Sequence, residues 1–598
     1  MEKIAVIDFG GQYAHLIASK IRRLNVYSEI ISPGTPLQDV RGCSGLVYSG
    51  GPSSVYSPDR PVFNPELLDF EGPQLGLCYG HQLIADTLGG EVLPGDTGEY
   101  GLAAIEIKSA DGIFKGLSHR QTVWMSHGDS VKKPAPGFKV SAVSDDCPVA
   151  AVENPERRIY GFQFHPEVTH TENGTKMLSN FLDICGCSGE WTMENFIESV
   201  SSEIKKQASG KKVMLLVSGG VDSTVTFALL NEVLGPERVF GLHIDTGMMR
   251  LDETGLIKEY MNAHGFKNLQ ITDASGKFLK ALEGVCAPEE KRAVIGEMFI
   301  KIQREVLTGM VDDDSDWLLA QGTIYPDTIE SGGTENSKVI KTHHNRVPII
   351  EKLISEGKVI EPLRYLYKDG VRQLGEKLGL PHELVWRHPF PGPGLGVRLL
   401  CRAEGTEDED LPGLPSELAT YLESLGLEGS PLPVKSVGVQ GDNRTYRHPY
   451  WVRGSFDWEV LDDVSTRITN RCDAFNRVVL LITDVEGVPF FKPVPGYMTE
   501  KRLDILRQAD DIVTRRLEEN GLMEEFAQVP VIMLPLKFEE KETVVIRPLN
   551  TSDFMTGRFG RMDKELLKKI SDEITDKTDV GAVFYDITNK PPGTTEWE

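Results

Sequence analysis

Cysteine is scarce in this chain: eight in 598 residues, with one close pair, Cys185 and Cys187. No second pair or His-x-x-x-His run completes a zinc site. A disulfide framework is thereby excluded, and most of the eight read as reduced thiols of core or surface. Positive charge is also short. Lys and Arg number 64 against 89 Asp and Glu, a net charge of −25. That balance opposes a general nucleic-acid binder while leaving room for a local basic pocket around one nucleotide. No apolar leader and no long apolar run occurs, since MEKIAVIDFGGQ passes directly into a strand and a glycine turn. The expectation is a cytoplasmic protein with no membrane partner. The G-x-x-x-x-G-K-S/T phosphate loop is missing as well, which makes γ-phosphoryl transfer a poor fit. What is present is ordinary: 40% hydrophobic residues supply several cores, and the length suits about three to four domains.

The stretch around which the rest is organised is 213–230, VMLLVSGGVDSTVTFALL. Val213 to Val217 reads as a buried parallel strand, and a helical pattern resumes through Phe227, Leu229 and Leu230. Between them lies a glycine turn at a helix N-terminus, a geometry that offers backbone N–H groups to an anion. Asp222, Ser223 and Thr224 fall where short oxygen-bearing side chains cap a helix or reach a ligand. Asp222 is also a candidate Mg²⁺ ligand. SGGVDS resembles the pyrophosphate-binding loop of the ATP-pyrophosphatase family. The resemblance implies cleavage of ATP between the α- and β-phosphates, with Ser218, Gly219, Gly220, Val221, Asp222 and Ser223 on the pyrophosphate and Mg²⁺ accompanying the ATP.

Upstream, IAVIDFGGQY (4–13), GLVYSGGP (45–52) and PQLGLCYGHQLIADTLGG (73–90) repeat one theme of apolar strand and glycine turn. They predict an open α/β sheet with loops gathered at the strands' C-terminal ends. Cys78 sits between strand and helix, where a nucleophile is exposed and the helix's positive end favours a thiolate. The backbone N–H groups of Tyr79 and Gly51 are oxyanion-hole candidates. In IYGFQFHPEVTH (159–170), read as a strand, His165 and Glu167 are two apart and point to one face. A histidine oriented by a carboxylate beside a thiol is the acyl-transfer arrangement. GLCYGHQ together with FHPE resembles the class I (triad) glutamine amidotransferases. That resemblance implies attack of Cys78 on the glutamine side-chain amide, with His165 carrying the proton. Ser126-His-Gly-Asp129 is read as a loop supporting the site.

Gly186–Gly189 is a linker, and Thr192 is placed to cap the next helix. RVFGLHIDTGMM (238–249) and DWLLAQGTIYPD (316–327) supply further strands ending in glycine turns, so ATP belongs over their ends. RHPFPGPGLGVR (387–398) carries too many prolines and glycines for regular structure. After an acidic linker (407–412) the order strand, strand, helix, strand occurs twice, over 432–482 and 529–587, each time preceded by a helix. Two copies in one chain bury a half-covered sheet internally, which predicts a monomer with a built-in pseudo-dimer, a homodimer being the alternative. ITNKPPGTTEWE is too polar to be core; Lys590 with the following turn suits a phosphate, or the tail is frayed.

The fold class expected is α/β throughout the first two domains. A class I glutamine amidotransferase domain occupies 1–188 and an ATP-pyrophosphatase (adenine nucleotide α-hydrolase-like) domain 192–400. Two α+β modules follow, 413–486 and 500–598. This order, with VGVQGD, SDFMTG and KPPGTTEWE, closely resembles the glutamine-hydrolysing GMP synthase family in its long, eukaryote-like form. The resemblance implies glutamine, ATP and XMP as substrates. It places Lys341, in KVIKTHHNRVP, on a lid over the ATP phosphates, and Arg292, Asp442, Gln528, Lys590 and Glu596 on XMP. A tRNA-modifying pyrophosphatase predicts basic, aromatic surfaces and often a CxxC pair, which are missing. A non-catalytic scaffold predicts decay at the reacting positions, which are intact. A synthetase acting on another acceptor such as NAD is opposed by the tail.

Overall fold

A computed structural model describes residues 2–10, 13–168, 170–263, 265–310, 317–331, 356–407, 410–440, 443–454, 456–551 and 557–598. The chain divides into two compact units.

The first comprises Met1–Glu203 with Ile324–His343 and Arg364–Gly370. Its strands are β1 (Lys3–Ile7), β2 (Tyr27–Ile31), β3 (Gly45–Tyr48), β4 (Gln74–Leu77), β5 (Glu91–Ile107), β6 (Arg120–Lys133), β7 (Lys139–Ser144), β8 (Ala151–Asn154) and β9 (Ile159–Phe162). They form one sheet in the order β2-β1-β3-β4-β9-β8-β7-β5-β6. The first five positions are parallel and the rest antiparallel. The continuous apolar runs of β1 and β3 are explained by burial on both faces. Ile4 and Val6 enter one core while Ala5 and Ile7 enter the other. Because β3, β4 and β9 are parallel neighbours, the turns at 49–51, 78 and 163–167 emerge side by side.

Three expectations need correction here. Strand β9 stops at Phe162, so His165 and Glu167 are not on a strand. The chain bends at Gln163 and Phe164 and turns at Pro166 and Glu167, where Pro166 has no N–H to offer a ladder. Residues 126–129 are a strand, inside β6, rather than a loop. Cys78 is buried, 6% exposed, because β6 crosses over the turn that carries it.

The second unit comprises Ile204–Thr323, His344–Leu363 and Val371–Glu598. The helix Met193–Ala208 runs from the first unit into the second, and at its start, in the first unit, Thr192 Oγ1 accepts from Asn195 N, as its capping role requires. Strands β10 (Lys212–Leu216), β11 (Val239–Asp245), β12 (Leu269–Asp273), β13 (Trp317–Ala320) and β14 (Val359–Ile360) form a parallel sheet ordered β12-β11-β10-β13-β14. The chain winds outward from β10 in one direction and then the other. The crevice at such a switch point opens over the C-terminal end of β10, where SGGVDS begins.

The two α+β modules share a single sheet. The first contributes β15 (Glu428–Pro431), β16 (Ser436–Gln440), β17 (Asn443–Arg453) and β18 (Phe475–Leu481). The second, with its lead-in, contributes β19 (Lys492–Pro493), β20 (Val531–Phe538) and β21 (Lys541–Ile546), then a short ribbon of β22 (Leu549–Asn550) and β23 (Arg558–Phe559), and finally β24 (Val580–Asp586). The order is β15-β17-β18-β24-β21-β20-β19, with β16 beside β17. Each module makes a parallel pair, β17 with β18 and β21 with β24, around an intervening helix. The helices Trp458–Arg471 and Lys564–Lys577 are capped alike, by Asp457 and Asp563, each accepting from the second and third N–H that follow. The halves join antiparallel at β18 and β24.

Two further expectations fail in this unit. Gly394–Val397 forms one 3₁₀ turn within the Pro/Gly-rich stretch. The tail is not all surface, since Trp597 is wholly buried. Its indole Nε1 donates to Asp586 Oδ2 at 3.0 Å. Arg477 and Arg547, both fully buried, grip the two oxygens of the same carboxylate at 2.8 and 3.2 Å. Among the described residues no helix is long and apolar enough to cross a membrane.

Candidate functional site

Cys78 ends the strand side of a tight turn with φ 50° and ψ −105°. A non-glycine residue in this region costs roughly 1–3 kcal/mol and persists where the surroundings enforce it. Enforcement comes from two glycines. A methyl on Gly80 would lie 2.3 Å from the Tyr48 carbonyl oxygen, and one on Gly76 would lie 2.6 Å from that of Gly80. Only glycine lets the helix Tyr79–Thr87 seat this deeply against the sheet. Its first N–H, that of Tyr79, has no intrahelical acceptor. Gly51, the other oxyanion candidate, lies against Phe9 and the Tyr79 ring.

His165 arrives from the end of β9. Its Nδ1 is 2.7 Å from Glu167 Oε1, and both side chains are buried. A methyl on Gly50 would touch His165 Cε1 at 3.1 Å and Cys78 Cβ at 3.8 Å, so thiol and imidazole flank one glycine. Burial disfavours the imidazolium, but the Glu167 charge and hydrogen bonds to Cys78 and Glu167 outweigh it and push the pKa up to about 10. The structure therefore brings Cys78, His165 and Glu167 together by a turn rather than by strand periodicity. Gln163 Nε2 also reaches the Cys78 sulfur, at 3.8 Å. Residues 126–129 back the site: Ser126 O accepts from Cys78 Sγ at 3.5 Å and Asp129 O accepts from Gln82 at 2.8 Å. The other motif histidine, His81, is fully buried, and burial pushes its pKa down to about 4, so it stays neutral.

In the second unit, Gly220 caps the helix Val221–Leu234 and Gly219 adopts φ +82°. Ser218 Oγ accepts from Gly220 N at 3.2 Å and lies 3.0 Å from Ser223 Oγ, which closes the turn on itself. A methyl on Gly322, after β13, would lie 3.1 Å from the Asp222 carbonyl carbon, so the neighbouring turn presses close. Asp222 stands in the first helical turn. One carboxylate in the first turn of a helix fits Mg²⁺, which takes its remaining ligands from phosphate and water. Lys341 lies outside the described residues.

Arg292 is near the start of the helix Pro288–Met310, donating to Glu289 and to the Glu598 carbonyl oxygen. Beside it Lys291, fully buried, binds Gly396 O and Leu399 O at 3.2 and 3.0 Å and pairs with the Glu598 carboxylate. Burial pushes that carboxyl up to about 7 against the pull of Lys291 and Arg292. Gln528 donates to Pro389 O at 2.9 Å, and Glu596 lies 3.4 Å from Arg398. Lys590 Nζ reaches Thr595 Oγ1 at 3.4 Å. Gln528 and Glu596 thus meet the 389–398 stretch, while Arg292 reaches the last residue, Glu598, and Lys590 reaches Thr595. Asp442 lies outside the described residues. Sequence reasoning missed Lys291, Glu598 and Arg387; the signals were a cation next to Arg292, the acidic last residue of the matched tail, and a cation within the Pro/Gly-rich run.

Three family models match the chain in order. Glutamine amidotransferase class-I covers residues 5–185, NAD synthase 192–289, and GMP synthase C terminal domain 516–597. The probable glutamine-hydrolyzing GMP synthase of Leptospira interrogans is 45% identical, spanning 100% of this chain and 99% of that protein. The glutamine-hydrolyzing GMP synthase of Dictyostelium discoideum is 36% identical over 100% of this chain and 94% of its own. That of Enterococcus faecalis is 42% identical, with 81% of this chain and 96% of the relative covered. The long form is therefore shared by a bacterial and a eukaryotic relative. A thiol–histidine–carboxylate set, an SGGVDS turn at a sheet's switch point and end-to-end likeness at this identity make the chain a member of the glutamine-hydrolysing GMP synthases.

Proposed function

We propose that this chain makes GMP from XMP, ATP and glutamine, with residues 1–188 hydrolysing glutamine, 192–400 activating XMP, and the modules 413–486 and 500–598 completing the XMP site. The observation that carries the first half is His165 bonded to Glu167 and flanking Gly50 together with Cys78. Cys78 Sγ attacks the glutamine amide carbon, and the Tyr79 and Gly51 N–H groups receive the oxyanion. The His165 proton passes to the departing nitrogen, so ammonia leaves. Water, deprotonated by His165, then cleaves the thioester to glutamate.

In the second half the C2 oxygen of XMP attacks the α-phosphorus of ATP, and pyrophosphate leaves into the Ser218–Ser223 turn. Ammonia adds at C2; loss of AMP and a proton gives GMP. Asp222 would hold Mg²⁺, which neutralises phosphate charge when bound. Arg292, Gln528, Lys590 and Glu596 orient XMP, and the family resemblance adds Asp442 there and Lys341 over the ATP. We assign the activity to the cytoplasm. The shared sheet of the two modules supports a monomer that carries its own pseudo-dimer.

The test is Cys78→Ala assayed with each nitrogen source. GMP formation from glutamine should vanish while formation from ammonium salts persists. Loss of both would refute the division of labour between the units.

A further inference from the structure

The Ser218–Ser223 turn carries no cation of its own, yet the fold delivers one from the Pro/Gly-rich stretch. A methyl on Gly219 would lie 3.5 Å from Arg387 Nη2. The Arg387 side chain is 19% exposed, and its Nη1 is 3.5 Å from Glu253 Oε1. Nη2 is buried and has no hydrogen-bond partner among the described residues. One end of the fork is therefore anchored on a carboxylate, and the other points, unpaired, at a glycine whose left-handed backbone helps open the turn toward an anion. A buried donor of this kind is unfavourable unless something accepts from it. A planar guanidinium matches phosphate oxygens in a way that a point charge does not.

We propose that Arg387 is a catalytic residue of the adenylylation step, donating through Nη2 to the pyrophosphate that leaves ATP. The proposal rests on reading Ser218–Ser223 as the ATP turn. In that step the XMP C2 oxygen forms a bond to the α-phosphorus. The bond from that phosphorus to the α–β bridging oxygen breaks, and its electron pair departs with pyrophosphate. Charge grows on the leaving group, next to Nη2, while Arg387 neither gains nor loses a proton. Glu253 keeps the fork aimed before substrate arrives, so no reorganisation is needed as the charge develops. A purely structural Arg387, tying its stretch to the helix Glu253–Ala263, would alter stability and leave pyrophosphate binding alone.

The test titrates inorganic pyrophosphate with Mg²⁺ into the full chain by calorimetry, beside ammonia-dependent GMP formation. R387M should weaken pyrophosphate about 10²-fold and lower kcat by roughly 10²–10³-fold, the size of effect seen when one charge-stabilising donor is removed. KM for XMP should stay within about threefold. R387K should fall between, since it keeps the charge and loses the fork. Ethylguanidinium should restore part of the activity of R387A. Should R387M not fold, E253Q/R387M removes both members of the pair and carries the same expectation. Pyrophosphate affinity equal to that of the parent, with only a lowered melting temperature, would overturn the proposal. A parent chain that binds no pyrophosphate, or that yields ADP in place of AMP, would overturn the reading of the turn itself.

Discussion

Replacing Glu167 by glutamine deletes a charge and preserves a shape. The carboxylate is fully buried and 2.7 Å from His165 Nδ1, and an amide oxygen can accept the same hydrogen bond. The rise of the imidazole from 6.5 to about 10 corresponds to roughly 5 kcal/mol in favour of the imidazolium at 1.36 kcal/mol per unit. A Coulomb term between unit charges about 4 Å apart at an effective dielectric of 20 gives about 4 kcal/mol, and this carboxylate is the largest of the influences that raise the imidazole against burial, ahead of Cys78. Without it, burial is opposed only by Cys78, and the imidazole falls toward or below its ordinary value. In the parent the imidazolium persists as pH rises until about 10; its contribution to stability is complete below 6.5 and is lost as pH climbs through the folded value. In the variant that limit moves to the acid side of neutrality. Glutaminase turnover at pH 8 should drop roughly 10²–10⁴-fold, as for other triads that lose their carboxylate, while ammonia-dependent GMP formation is unchanged. Glutamate release and the pH profile of Cys78 alkylation by iodoacetamide measure this directly. An unshifted alkylation profile with turnover within about threefold of the parent would refute the electrostatic account of His165.

Asp586→Ala leaves Arg477 and Arg547 buried without their carboxylate, and should destabilise the second unit by about 3–5 kcal/mol. Urea unfolding followed by Trp fluorescence reads this, and a loss under about 1 kcal/mol would show that the neighbouring carbonyls suffice. Gly80→Ala puts a methyl 2.3 Å from the Tyr48 carbonyl oxygen. The helix must lift from the sheet, at about 1–3 kcal/mol. Glutaminase activity should fall together with the first unit's melting temperature, whereas normal glutamine turnover would show that the turn tolerates the shift.

Much of this was legible because it is local. A strand that ends in Gly-Gly and restarts as a helix announces a glycine turn at a helix N-terminus in eighteen letters, and Cys78 between Leu77 and a helix announces a turn. The His165–Glu167 pair was found for the wrong reason: spacing of two suggests a strand, but the ladder ends at Phe162 and a turn does the aiming. Trp597 was hidden because the composition of 587–598 describes its own segment, while the indole's slot is built by Asp586 and by strands far away in sequence. Arg387 was hidden for a related reason. Nothing near it in sequence names a phosphate, since its neighbour Gly219 comes from a different strand end.

Strand β24 lies between β18 and β21 in space yet follows both in the chain. During synthesis, then, the middle of the sheet is made last. Until Val580–Asp586 leaves the ribosome, β18 and β21 each offer a bare row of amides and carbonyls, one on either side of a slot waiting to be filled. Such edges invite pairing with a neighbouring nascent chain. The Asp586 carboxylate that two buried arginines require arrives on the same strand, so closing the gap and neutralising those cations are one event.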